Sequence, residues 1–125
     1  MLSASHSRFK ISFILIPATS LQLTYKGVYI QDMLSRAGVT MGSLLRGGNL
    51  SKYVLAVCAD GYRVVYSLAE LDSSFVRDLP IIACLIDGQA LNSAKGPLRV
   101  IMPGDKKPAR NCFQLKELIV RSASN

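Results

Sequence analysis

Leu21, Leu23 and Tyr25 alternate with polar residues, the period of a half-buried strand, and lead into a turn at Lys26-Gly27. The period then changes. Ile30, Met33, Leu34 and Ala37 recur at i, i+3, i+4 and i+7, one stripe of a short helix that Gly38 is placed to end in the left-handed conformation. A helix this short is marginal alone, so its stripe is expected to dock on a sheet. Residues 39–52, with Gly42, Gly47 and Gly48, show little periodicity and read as a long connection in which Arg46 is solvated.

Tyr53–Ala59 is apolar and β-prone almost throughout, Asp60-Gly61 is a turn signal, and Tyr62–Tyr66 resumes the strand pattern. Together they predict a hairpin. Asp60 and Asp87, each before a glycine, are assigned to turns, where a carboxylate can bond its own backbone. Ser67 and Glu70 have the spacing of a capping box, opening a second short helix whose face is Leu68, Leu71 and Phe75. Ile81–Ile86, Leu98–Met102 and Leu115–Val120 are further strand segments. Several short strands with two short helices, lacking regular strand–helix alternation, predict an α+β domain with a mixed β-sheet core.

The run Ile11–Ala18 follows Arg8 and Lys10 and reads either as a weak signal peptide or as a first strand. The chain is therefore divided into residues 1–20, with that double reading, and residues 21–125, the domain proper. A signal would place the protein in the periplasm or export it; a strand would leave it cytoplasmic. The run is too short for an integral membrane span. Half of the 125 residues are hydrophobic, so the core is expected to stand without disulfides. The three cysteines show no CxxC. Cys58 and Cys84 lie in apolar β-rich runs and read as small buried hydrophobes, whereas Cys112, in a polar loop, is left unassigned.

Charge sharpens the picture towards the C-terminus. The formal net charge is +7, and residues 95–121 hold seven basic residues against two acidic ones, Asp105 and Glu117. Such a concentration favours an anionic partner. The segment from Gly96 to Asn111 is bounded by glycine and proline at both ends of an apolar strand. It is expected to deliver Arg99 and Arg110 to one opening, beside Lys106, Lys107 and the Gly104 turn. Guanidinium forks and mobile ammonium groups suit a phosphate or another small anion. Phe113 is the only aromatic residue near this cluster, which gives no stacking platform for a specific nucleic-acid partner. His6 is the only histidine, which excludes a Ser–His–Asp triad and a His-rich metal site. The dinucleotide and P-loop glycine signatures are absent. No residue is assigned a catalytic role, and none is assigned to a metal.

Three blocks carry a resemblance: GVYIQDMLSRAGV at 27–39, ADGYRVVYSLAELD at 59–72, and DGQALNSAKGPLRVIMPGDKKPARN at 87–111 with its β-rich tail to Val120. In combination they are similar to the molybdopterin-binding domain of the sulfite oxidase family of oxidoreductases. The resemblance implies that family's α+β fold, a bound molybdopterin, two-electron chemistry at molybdenum and a redox partner protein. It also implies that Arg99, Lys106, Lys107, Arg110 and Asn111 hold the pterin phosphate and ring system. The family supplies a cysteine thiolate to the metal from a segment upstream of the helix. Met1–Lys26 contains no cysteine, and Cys58 lies after the helix in a strand, so the upstream part of the pocket is expected to be truncated. Two readings follow: a molybdopterin-binding-like protein, or a non-enzymatic ligand- or protein-binding domain on the same scaffold.

Overall fold

The computed structural model describes residues 11–18 and 21–123, with side chains from Tyr25 onward. His6, Arg8 and Lys10 lie outside the described residues. Ile11–Ala18 forms β1, antiparallel to β2 (Leu21–Tyr29). β2 continues into the first sheet by pairing with β5 (Ile81–Ile86), whose far edge is shared by β6 (Gln89–Ala90) and β7 (Arg99–Ile101). A second sheet places β3 (Lys52–Cys58) between β4 (Arg63–Ser67) and β8 (Leu115–Ser122).

The α+β class stands, but the core is two sheets instead of one mixed sheet. Every strand pairing among the described residues is antiparallel. For β1–β2, β3–β4 and β5–β6 the reason is local: each pair is consecutive in the chain with few residues between, and such hairpins are antiparallel by construction. At Asp60-Gly61 the Asp60 carboxylate accepts the Tyr62 N–H at 3.0 Å, and Gly61 has a φ of +89°.

The two sheets enclose the main core. Val28, Ile82 and Val100 form a row across the first sheet and pack with Val54, Ala56 and Tyr66 of the second. Helix α1 (Ile30–Arg36) buries Ile30, Met33 and Leu34 of its expected stripe in this core, whereas Ala37, just past its last turn, is exposed. It ends where Gly38 takes a φ of +90°: the Val39 N–H reaches the Leu34 carbonyl at 2.9 Å and the Gly38 N–H reaches Ser35 at 3.1 Å, a Schellman closure. The capping box at Ser67 also forms, with the Glu70 N–H donating to Ser67 Oγ and the Ser67 N–H donating to Glu70 Oε2. It opens only a 3-10 turn, Ala69–Leu71, and Phe75 is exposed instead of joining Leu68 and Leu71 in the core. The connection at residues 39–52 contains two further 3-10 turns, Gly42–Leu44 and Gly47–Ser51, with Arg46 exposed between them.

Asp72 stops the Ala69–Leu71 turn and ties these connections together. It is 0% exposed, yet its carboxylate accepts from the Gly42 N–H at 2.5 Å, from Gln31 Nε2 at 3.3 Å, and from both the N–H and the hydroxyl of Ser74. Burial alone would raise its pKa, but the bonds from Ser74 and Gly42 outweigh it and hold the carboxyl below its usual value. A lowered folded-state pKa means a stabilising contribution that is complete above the unfolded value, about 3.9, and is lost as pH falls through the folded one. Urea unfolding of the wild type is therefore expected to lose stability on acidification below about pH 4 more steeply than Asp72→Asn. Parallel pH profiles of the two proteins would contradict this.

Candidate functional site

Side chains alternate along a strand, so Arg99 and Ile101 of β7 leave Val100 to the main core and turn to the opposite face of the first sheet. That face carries a second apolar cluster of Tyr25, Ile81, Ala83, Leu91 and Ile101. Arg99 is only 5% exposed within it. Its Nη1 donates to the Tyr25 hydroxyl at 3.0 Å, and its guanidinium lies 4.2 Å from the centre of the Phe113 ring and 5.4 Å from that of Tyr25. Its Nε is buried with no hydrogen-bond partner among the described residues. Lys95 places its ammonium 5.6 Å from the same Phe113 ring.

No carboxylate among the described residues pairs with Arg99. Burial pushes its pKa down, with the Tyr25 phenol opposing, but a guanidinium keeps its proton in a protein. The result is a buried cation with two aromatic neighbours and, among the described residues, no counter-charge. An ion taken out of water this way costs several kcal/mol unless an anion and hydrogen bonds compensate it.

Arg110 differs on every count. Its Nε and Nη2 donate to the two oxygens of Asp105, both at 2.9 Å, and Nη1 lies 2.6 Å from Glu70 Oε1. The expected convergence of Arg99 and Arg110 on one opening is therefore corrected: Arg99 is under Phe113, Arg110 is spent on two carboxylates beside Tyr66, and the two share no partner. Asn111 is also structural, accepting the Met102 N–H at 2.8 Å. Lys106 and Lys107 are exposed, with no partner among the described residues. Arg110→Ala is accordingly expected to lower stability by about 1–2 kcal/mol, as a bidentate pair one-third exposed to water would. Urea denaturation of the variant checks this, and a variant as stable as the wild type would contradict it.

The cysteines depart furthest from expectation. Cys58 and Cys112 are joined in a disulfide, buried at 2% and 0% exposure, that ties the end of β3 to the chain following Arg110. Cys84 is exposed on β5, its Sγ 3.6 Å from the Lys26 carbonyl. The core thus includes a covalent link, and neither strand cysteine is the buried thiol its apolar surroundings suggest. Alongside, an open groove of about 560 Å³ runs between the loop at 91–97 and the start of β8, lined by Leu91, Gly96, Pro97, Gln114 and Lys116 among others. Arg99 does not line it. Tyr25 and Phe113 are the site residues that sequence reasoning misses; the one signal was that Phe113 is the sole aromatic beside the basic cluster.

No curated protein matches the chain. The family model described as the oxidoreductase molybdopterin binding domain matches residues 8–121, which is most of the chain. With its model matched over nearly the whole of this two-sheet domain, the chain belongs to the oxidoreductase molybdopterin-binding domain family.

Proposed function

We propose that this domain binds a small phosphate-bearing anion at Arg99, a pterin phosphate being the form its family points to, and that it works as a binding module instead of an oxidoreductase in its own right. The observation that carries this reading is the buried Arg99 guanidinium, whose Nε has no acceptor and whose charge has no carboxylate partner among the described residues. A phosphate oxygen would satisfy Nε and the charge together. The Tyr25 hydroxyl has a proton to donate to the same ligand, and Lys95 adds a second cation across Phe113.

A molybdenum–pterin group, when bound, supplies two-electron chemistry at the metal. The phosphate end of such a group fits Arg99; a thiolate-ligated metal does not fit the thiols of this chain. Cys58 and Cys112 are bonded to each other, and Cys84 lies exposed on β5 with its thiol at the Lys26 carbonyl. Among the described residues no three His, Cys, Asp or Glu side chains cluster to hold a metal ion. These donors support the binding-module reading and no catalytic step is drawn through the metal. The disulfide favours an oxidising compartment, and so an exported location.

Calorimetric titration tests the reading. A pterin phosphate and inorganic phosphate should both bind with one-to-one stoichiometry, and the unphosphorylated pterin should not. Binding of the bare pterin as tightly as its phosphate, or of none of the three, would sink it.

A further inference from the structure

We infer that residues 109–113 form a strap that carries the Phe113 ring over Arg99 and is latched by the Cys58–Cys112 disulfide, so that anion binding is governed by thiol–disulfide state. This rests on the anion-binding reading of Arg99. The strap is fastened residue by residue. The Tyr62 hydroxyl donates to the Ala109 carbonyl at 2.6 Å, and the Tyr66 hydroxyl donates to that of Arg110. Arg110 pairs with Asp105 and Glu70, and Asn111 holds the Met102 N–H. Cys112 is bonded to Cys58, and its carbonyl accepts the Val100 N–H at 3.0 Å. The next residue, Phe113, stacks on Arg99.

Of these fastenings the disulfide is the covalent one, and it sits beside the residue that covers the cation. Phe113 is itself 42% exposed, so its position over Arg99 depends on its chain neighbours more than on packing around its ring. With the strap held down, Arg99 is kept from water and attracts an anion through a low-dielectric surrounding. With the strap lifted, water solvates the guanidinium and takes over much of what the anion supplied.

A dithiol is the reductant class that opens the latch. Its thiolate attacks one sulfur of the Cys58–Cys112 bond, and its second thiol resolves the mixed disulfide. The S–S bond breaks, Cys58 and Cys112 each gain one electron and one proton, and the dithiol leaves as its own cyclic disulfide. Both protein sulfurs are buried, so attack requires the strap to open. An anion that favours the closed strap must then oppose reduction by the same factor that oxidation favours the anion.

The experiment uses the full chain carrying Cys84→Ser, oxidised or reduced with a dithiol, and counts thiols by alkylation. Phosphate affinity is expected to fall at least tenfold on reduction. A redox titration at saturating phosphate should show the disulfide midpoint moved to more negative potential, by about 30 mV for a tenfold coupling. Phe113→Ala in the oxidised protein, where the latch is intact and the cover is missing, should weaken phosphate to a similar degree and serves if the reduced chain unfolds. Equal affinity in both redox states with an unmoved midpoint, or unchanged affinity in oxidised Phe113→Ala, overturns the inference and leaves the anion site standing. An oxidised wild type that binds no phosphate overturns the anion reading and the strap together.

Discussion

Arg99→Met is expected to melt higher than the wild type in the absence of ligand and to bind no phosphate. Methionine follows the path of the arginine stem between Tyr25 and Phe113 and brings no charge to the apolar cluster of Ile81, Ala83, Leu91 and Ile101. Replacing a buried ion by an apolar side chain of similar volume is commonly neutral or stabilising. The Tyr25 hydroxyl loses one hydrogen bond, which offsets about 1 kcal/mol. A net gain of about 1–2 kcal/mol corresponds to roughly 3–8 °C for a domain of this size. Saturating phosphate should raise the melting temperature of the wild type and leave that of the variant unchanged. A variant that melts several degrees lower would show that Arg99 is already compensated within the fold and has no need of an anion.

Gly27→Ala is expected to be the most destabilising single-methyl addition in the first sheet. Gly27 sits opposite Ala83 at a register shift between β2 and β5, the pair on which that sheet is built. A Cβ at position 27 would lie 1.9 Å from the Ile82 carbonyl oxygen and 2.7 Å from the Ala83 Cα. These are backbone atoms and no rotamer can move them away, so the strands must separate. The cost is at least about 3 kcal/mol, a large part of the stability of a typical domain. Gly104, with nothing within 4 Å of its Cβ position, is the control: Gly104→Ala should stay within about 1 kcal/mol of the wild type. Circular-dichroism melts compare the three proteins. A Gly27→Ala protein as stable as Gly104→Ala would mean that β2 and β5 are not in this register.

Features governed by short-range rules were legible in the chain. The stripe at Ile30, Met33 and Leu34 becomes α1, Gly38 closes it, Asp60 makes its turn, and Ser67 and Glu70 exchange their bonds. What was hidden depends on tertiary placement. The Cys58–Cys112 bond spans 54 residues and required β3 and the strap to be brought together. Arg99 meets Tyr25 across 74 residues, and strand parity, which sends it away from the main core, is fixed only when β7 pairs with β5. Glu70 was identified for its capping duty, yet its second oxygen neutralises Arg110. Counting charges along residues 95–121 therefore located the basic region and overstated its free cations. Asp105 and Glu70 remove Arg110, and Phe113 covers Arg99.

The Nε–H of Arg99 is the most direct witness to the anion site, because it is a buried donor with no acceptor among the described residues. Its ¹H–¹⁵N resonance can be followed through a phosphate titration of the oxidised protein, with the Nε–H of Arg110, already given to Asp105 Oδ2 at 2.9 Å, as internal reference. A saturable downfield movement at Arg99 with Arg110 unmoved is the expected result. An unmoved Arg99 resonance, or equal non-saturating drifts at both arginines, contradicts the assignment of Arg99 as the anion's contact.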